Sequence, residues 1–81
     1  MNDQELERRY GPAASYSDYR RGERIVFSEA GQIYSGIIIW VCAPQQRFSS
    51  HTPISYVVET DVPDTHPLLV WPGDIIQPAG A

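Results

Sequence analysis

The sequence contains no lysine, and six arginines stand against ten acidic residues, leaving a net charge of −4. That acidic balance argues against nucleic acid as a partner, because neutralising phosphates requires a basic face. Arg20, Arg21 and Arg24 do cluster, but Glu23 stands among them, the pattern of a solvated edge. A single cysteine, Cys42, excludes an intramolecular disulfide. It lies in the most apolar run of the chain and reads as a small buried hydrophobe rather than a nucleophile. There is no CxxC pair, His cluster or other zinc spacing, so no metal site is expected. No apolar run approaches the roughly 18 residues of a membrane span. The opening residues, Met1-Asn2-Asp3-Gln4-Glu5, are polar and acidic, unlike a signal peptide, so a soluble cytoplasmic protein is expected. Gly31 and Gly73 are isolated turn glycines, and without a glycine-rich phosphate loop a Rossmann or P-loop nucleotide site is excluded.

What the chain does have is an apolar centre, Gly36-Ile37-Ile38-Ile39-Trp40-Val41-Cys42. Three consecutive isoleucines disfavour a helix, where β-branched side chains crowd, and suit a pleated strand. Strand alternation puts Ile37, Ile39 and Val41 on one face and Ile38, Trp40 and Cys42 on the other. Both faces are apolar and both need cover. An 81-residue chain forms one domain with one small core. Domains of roughly 60 residues bury only about 60% of their unfolded surface, and oligomerisation is a common remedy. The second face therefore predicts a partner subunit or a ligand.

Taken in order, residues 1–20 read as a flexible arm, polar and broken by Gly11-Pro12. Asp3 to Arg9 has the makings of one or two helical turns, with Asn2 or Asp3 as N-cap. Residues 21–78 read as the folded domain. Strands are predicted over 24–27, 32–42, 54–60, 68–71 and 75–77. Gly31 serves a turn by taking positive φ, and Gly36 marks a bulge or bend in the long strand. On the third strand Ile54, Tyr56 and Val58 are expected to face the core, with Ser55, Val57 and Glu59 outward. Residues 43–52, with Phe48 as their one large apolar residue, and 61–67 are loops. Pro72-Gly73-Asp74 is a sharp turn. No ten-residue helix separates the strands, which rules out a βαβ unit. The pattern is all-β, a small five-stranded SH3-like barrel with a flexible N-terminal arm.

The candidates for chemistry are sparse. His51 and His66 titrate near neutral pH but sit in polar loops with no serine or cysteine beside them. Asp61, Asp64 and Asp74 are turn residues by position, and Glu59 is placed near Arg24. Trp40 and Trp71 carry more information. Large aromatics on short strands are core residues, or they are anchors at interfaces and ligand platforms. Leu69 and Trp71 share one strand face, and Leu68 and Val70 the other. With one pair in the core, the other adds to an exposed apolar patch of the kind that marks association.

Gly22-Glu23-Arg24-Ile25, followed after fourteen residues by Trp40-Val41-Cys42, resembles the plasmid-borne type B dihydrofolate reductases, which carry Gly-Asp-Arg-Val and Trp-Tyr-Cys at the same spacing. Tyr56-Val57-Val58-Glu59-Thr60 is similar to their Tyr-Ala-Val-Glu-Ser, and Leu68-Leu69-Val70-Trp71-Pro72 falls where they have Val-Gln-Ile-Tyr-Pro. The resemblance spans residues 22–76, with extra residues in the 43–52 and 61–67 loops. It implies an SH3-like barrel assembling as a homotetramer around one pore, where NADPH passes hydride to dihydrofolate. In that family the glutamine's amide bonds both ligands, and a lysine on the first hairpin attracts their anionic tails. Here Leu69 stands at the glutamine position, Trp71 at the tyrosine, Val70 at the isoleucine and Phe27 at the lysine. Leucine cannot bond a pterin amide, and phenylalanine cannot attract a phosphate.

No catalytic residue is assigned, and no cofactor is expected outside the reductase alternative, which would use NADPH. The expected function is a non-catalytic, self-associating interaction module, dimer or tetramer, with Leu69, Val70, Trp71, Trp40 and Phe27 as ligand or interface residues. A peptide or an apolar small molecule is the ligand such a surface would take.

Overall fold

The isoleucine-rich run is the second half of one long strand in a computed structural model that describes residues 2–47 and 50–78. The elements are α1 (Asp3–Tyr10), β1 (Arg24–Glu29), β2 (Gln32–Cys42), β3 (Gln45–Arg47), β4 (Ser50–Thr52), β5 (Ser55–Thr60), β6 (Leu68–Val70), a 3₁₀ turn (Pro72–Asp74) and β7 (Ile75–Pro78). β2 serves two neighbours. Its first half pairs with β1, from Glu29↔Gln32 to Arg24↔Ile37, and its second half with β5, from Gly36↔Thr60 to Cys42↔Ser55. The five-stranded antiparallel sheet runs β6-β5-β2-β1-β7. The 3₁₀ turn carries the last strand back beside the first, giving an all-β, SH3-like strand order with the ladder open between β6 and β7.

Gly36 lies where the two ladders overlap, opposite both Ile25 and Thr60. A Cβ there would fall 2.4 Å from the Glu59 carbonyl oxygen, so glycine is required for close approach of β2 and β5. The bulge expected at Gly36 occurs three residues later, where the register shifts between Ile38 and Trp40. One extra residue moves every later side chain to the other face. Ile38 and Val41 therefore both enter the inner core, while Trp40 and Cys42 join a separate outer cluster. This corrects the simple alternation, which grouped Ile38 with Trp40 and Cys42.

The inner core comprises Ile25, Phe27, Ile38, Val41, Tyr56, Val58 and Val70, with Ile54 packed against it, as expected for that face of β5. Phe27 stacks on Tyr34, ring centroids 5.8 Å apart. The β1–β2 hairpin closes through Ala30 and Gly31, both at positive φ (51° and 81°). Two-residue turns of that shape match the twist of the flanking strands, and Gly31 fills the role expected of it.

Residues 2–20 are folded onto the sheet. Asn2 Oδ1 accepts the Glu5 N–H at 2.9 Å and caps α1, whose acidic first turn and Arg8-Arg9 last turn suit the helix dipole. Leu6 is the one buried residue of α1 and packs with Trp40, Cys42 and Val57. Past Gly11 the chain runs along the end of β2. Ala43 N–H donates to the Pro12 carbonyl and Ala14 N–H to the Val41 carbonyl, each at 2.9 Å. Tyr19 then meets Tyr56 edge to face at 5.7 Å. The segment read as an arm outside the 21–78 domain is thus docked on it, because Leu6 and Tyr10, four residues apart on one helix face, cover apolar surface that the sheet leaves bare. In the stretch expected as a loop, β3 and β4 pair as a hairpin, while Phe48 lies outside the described residues. Among the described residues no helix is long and apolar enough to cross a membrane.

Candidate functional site

The five residues singled out by sequence separate into three environments. Phe27 has no exposed surface and Val70 retains 1%, so both belong to the inner core. Trp40 is 4% exposed, beneath α1, and its indole Nε1–H donates to the Gly11 carbonyl at 3.0 Å. The Arg21 guanidinium lies 5.1 Å from the Trp40 ring centroid, while its Nη1 donates to Asp3 Oδ1 at 3.1 Å. Arg21 thereby clasps the helix start to the tryptophan by a cation–π contact and an ion pair. Leu69 and Trp71 alone reach solvent, at 45% and 39% exposure. As members of an interface, Phe27, Val70 and Trp40 could act only from behind these two.

Leu69 and Trp71 point the same way because they are two residues apart in extended chain. β6 is an edge strand, paired only with β5, and Leu69 sits opposite Val57. Val57 belongs to the cluster under α1, so the exposed patch and the covered one are neighbours across a single strand pair. Pro67 and Pro72 bracket the edge. Prolines blunt an edge against strand addition. The edge therefore presents its exposed side chains, Leu69 and Trp71, rather than a strand open to pairing.

The second apolar face of β2, which the sequence assigned to a partner or a ligand, is covered within the chain by Leu6. The docking leaves an open groove of about 640 Å³ along α1, walled by Leu6, Arg21, Gly22, Ile39, Glu59 and Pro67. Sequence reasoning missed this groove. The available signal was the Leu6/Tyr10 spacing in an otherwise polar segment.

Arg24 Nη1 donates to both oxygens of Asp61, each at 2.6 Å, and Ser35 Oγ donates to Asp61 Oδ2 at 2.6 Å. Those donors hold the Asp61 carboxyl below the usual aspartate range. Arg24's partner is thus Asp61 rather than Glu59. With Arg21 paired as well, two of the three clustered arginines carry a carboxylate. Burial pushes the Cys42 thiol up, opposed by a hydrogen bond with Ser55. Burial likewise raises Tyr56, against a hydrogen bond to the Tyr19 backbone. His66 is exposed, and the side chain of His51 lies outside the described set. Among the described residues no three His, Cys, Asp or Glu side chains gather as a metal site would require. The arrangement at Leu69 and Trp71 offers apolar contact area and an indole N–H, suited to binding.

Comparison of the chain with protein-family models, curated proteins and solved structures finds no match.

Proposed function

We propose that this protein is a small SH3-like interaction module that self-associates through Leu69 and Trp71. The observation that carries the reading is an exposed leucine and an exposed tryptophan on one face of an edge strand, directly beside an apolar cluster. Tryptophan is among the residues most enriched as interface anchors, and a barrel this small benefits from association. The occupant is a second copy of the chain, with a peptide or apolar ligand as the competing outcome. The test is mass in solution by light scattering at micromolar concentration. A dimer or tetramer that loses mass in Leu69→Glu and Trp71→Ala supports the reading; a wild-type monomer overturns it.

A second reading is NADPH-dependent dihydrofolate reduction of the type B kind. It draws support from the outward direction of positions 69 and 71, where the resemblance places the glutamine and tyrosine that touch ligands. It is weakened by Phe27, which is closed inside the core at the position of the cationic lysine. A tetramer whose Leu69→Gln variant gains NADPH oxidation dependent on dihydrofolate would favour this reading.

A further inference from the structure

We propose that residues 2–14 are a releasable strap, and that the strap and a second copy of this chain compete for the face formed by Trp40, Cys42 and Val57. The competition rests on the self-association reading above; the release of the strap does not. The attachment is narrow. Of the eight residues of α1 only Leu6 is buried. A helix this short is marginal in water without its contact. Beyond Leu6, the strap is held by the partly buried Tyr10 and Ala14, by the Asp3–Arg21 pair, whose side chains are 73% and 46% exposed, by the Trp40–Gly11 bond, and by two backbone hydrogen bonds near Pro12 and Ala14. An open groove borders Leu6, so solvent already reaches one side of the contact that holds the strap. The strap makes one isolated bridge, Ala13 to Cys42, and Ala14 borders the inner core, but it contributes no strand to the five-stranded sheet, so the sheet keeps its own ladder when the strap lifts. Local openings of this kind occur below the free energy of global unfolding.

The second copy follows from continuity. Leu69 lies opposite Val57, so release of Leu6 merges the covered cluster with the exposed Leu69–Trp71 patch into one apolar face. The open face would span three strands, and two copies related by a two-fold axis would bury it against itself.

Cys42 is the only cysteine and lies beneath the strap, 6% exposed, so its labelling reads strap opening directly. The experiment follows the reaction of the full chain with a chromogenic aryl disulfide at fixed pH over a range of protein concentrations. Leu6→Ala is expected to label at least about tenfold faster than wild type in dilute solution. That rate should fall again as concentration rises and the mass by light scattering increases. Val70→Ala, which loosens the inner core alone, should label near the wild-type rate; Ile25→Val replaces it if Val70→Ala does not fold. Equal acceleration in the inner-core and Leu6 variants would mean that Cys42 is reached by global unfolding, and the strap would be refuted. Fast labelling of Leu6→Ala independent of concentration, with no gain in mass, would refute the competition. Association lost in Trp71→Ala but indifferent to Leu6→Ala would also refute the competition while leaving the Leu69–Trp71 contact intact.

Discussion

β2 and β5 present apolar side chains on both faces, yet the two faces are closed by different means. The inner cluster draws Ile25 and Phe27 from β1, Ile38 and Val41 from β2, Tyr56 and Val58 from β5 and Val70 from β6. Its members come from four strands and depend on those strands being in register, with Ala14 and Tyr19 of the N-terminal segment packed against them. The outer cluster of Trp40, Cys42 and Val57 is covered by Leu6, with the partly buried Tyr10 beside it, from an eight-residue helix. Equal apolarity in sequence thus becomes unequal cooperativity in structure. The inner face is part of the global folding unit, whereas the outer face is closed by a segment whose loss breaks no strand pairing.

The largest expected effect tests the inner side. Phe27→Ala should lower unfolding free energy by about 3–5 kcal/mol, measured by urea denaturation, since a fully buried aromatic leaves a cavity that a four-strand core cannot collapse. Leu6→Ala, also nearly fully buried, should cost less, roughly 1–3 kcal/mol, because the loss is capped by the docking energy of the segment it holds. If Leu6→Ala costs as much as Phe27→Ala, the two regions form one cooperative unit and the contrast fails.

Much of the inner side was legible in the sequence, and little of the outer side. The β-branched runs, the Gly31 turn and the sharp turn at Pro72 are local signals, and local signals located all five strands of the sheet. The cap of α1 was legible for the same reason, as a choice between Asn2 and Asp3 that falls on Asn2. Three features were not. The bulge at Ile39 depends on how β2 meets β5, and isoleucine at 37, 38 and 39 reads identically in either register. The docking of residues 2–20 brings Leu6 and Tyr10 onto a tryptophan 34 positions beyond the leucine, and the Leu6/Tyr10 spacing alone does not name that partner. Val57 was expected outward, and outward it points, but exposure did not follow from direction because another segment lies over it. At the site, strand alternation put Leu69 and Trp71 on one face and Leu68 and Val70 on the other, without saying which face is exposed. The closure of Phe27, Val70 and Trp40 was not legible, since each follows from the tertiary cover.

A smaller effect on stability sharpens the comparison at β6. Trp71 is 39% exposed, so Trp71→Ala should leave the urea midpoint of the dilute chain within about 0.5 kcal/mol of wild type while lowering mass in solution. A large loss of stability without loss of mass would place Trp71 in the cover of the inner core and not in an interface.

The smallest effect concerns a contact that belongs to neither cluster. Asp61 accepts from Arg24 and Ser35, linking the end of β5 to β1 and β2. These donors lower its folded-state pKa, so the folded chain holds fewer protons than the unfolded chain through the interval between the two values. Its stabilisation is fully present above the unfolded aspartate range, near pH ~4, and is lost as pH falls through the folded value. Both side chains are about half exposed, so salt screens the pair and the contribution is small. Urea midpoints of wild type and Asp61→Asn should therefore differ at neutral pH, differ less at high salt, and converge at acidic pH. A difference that does not change with pH would assign the effect to loop geometry, where Asp61 N–H already donates to the Ser35 carbonyl at 2.9 Å. Combined with Leu6→Ala the effects should add, since the two side chains share no partner. Non-additivity would show that the Asp61 end of β5 feels the strap, and would erase the boundary between the two faces.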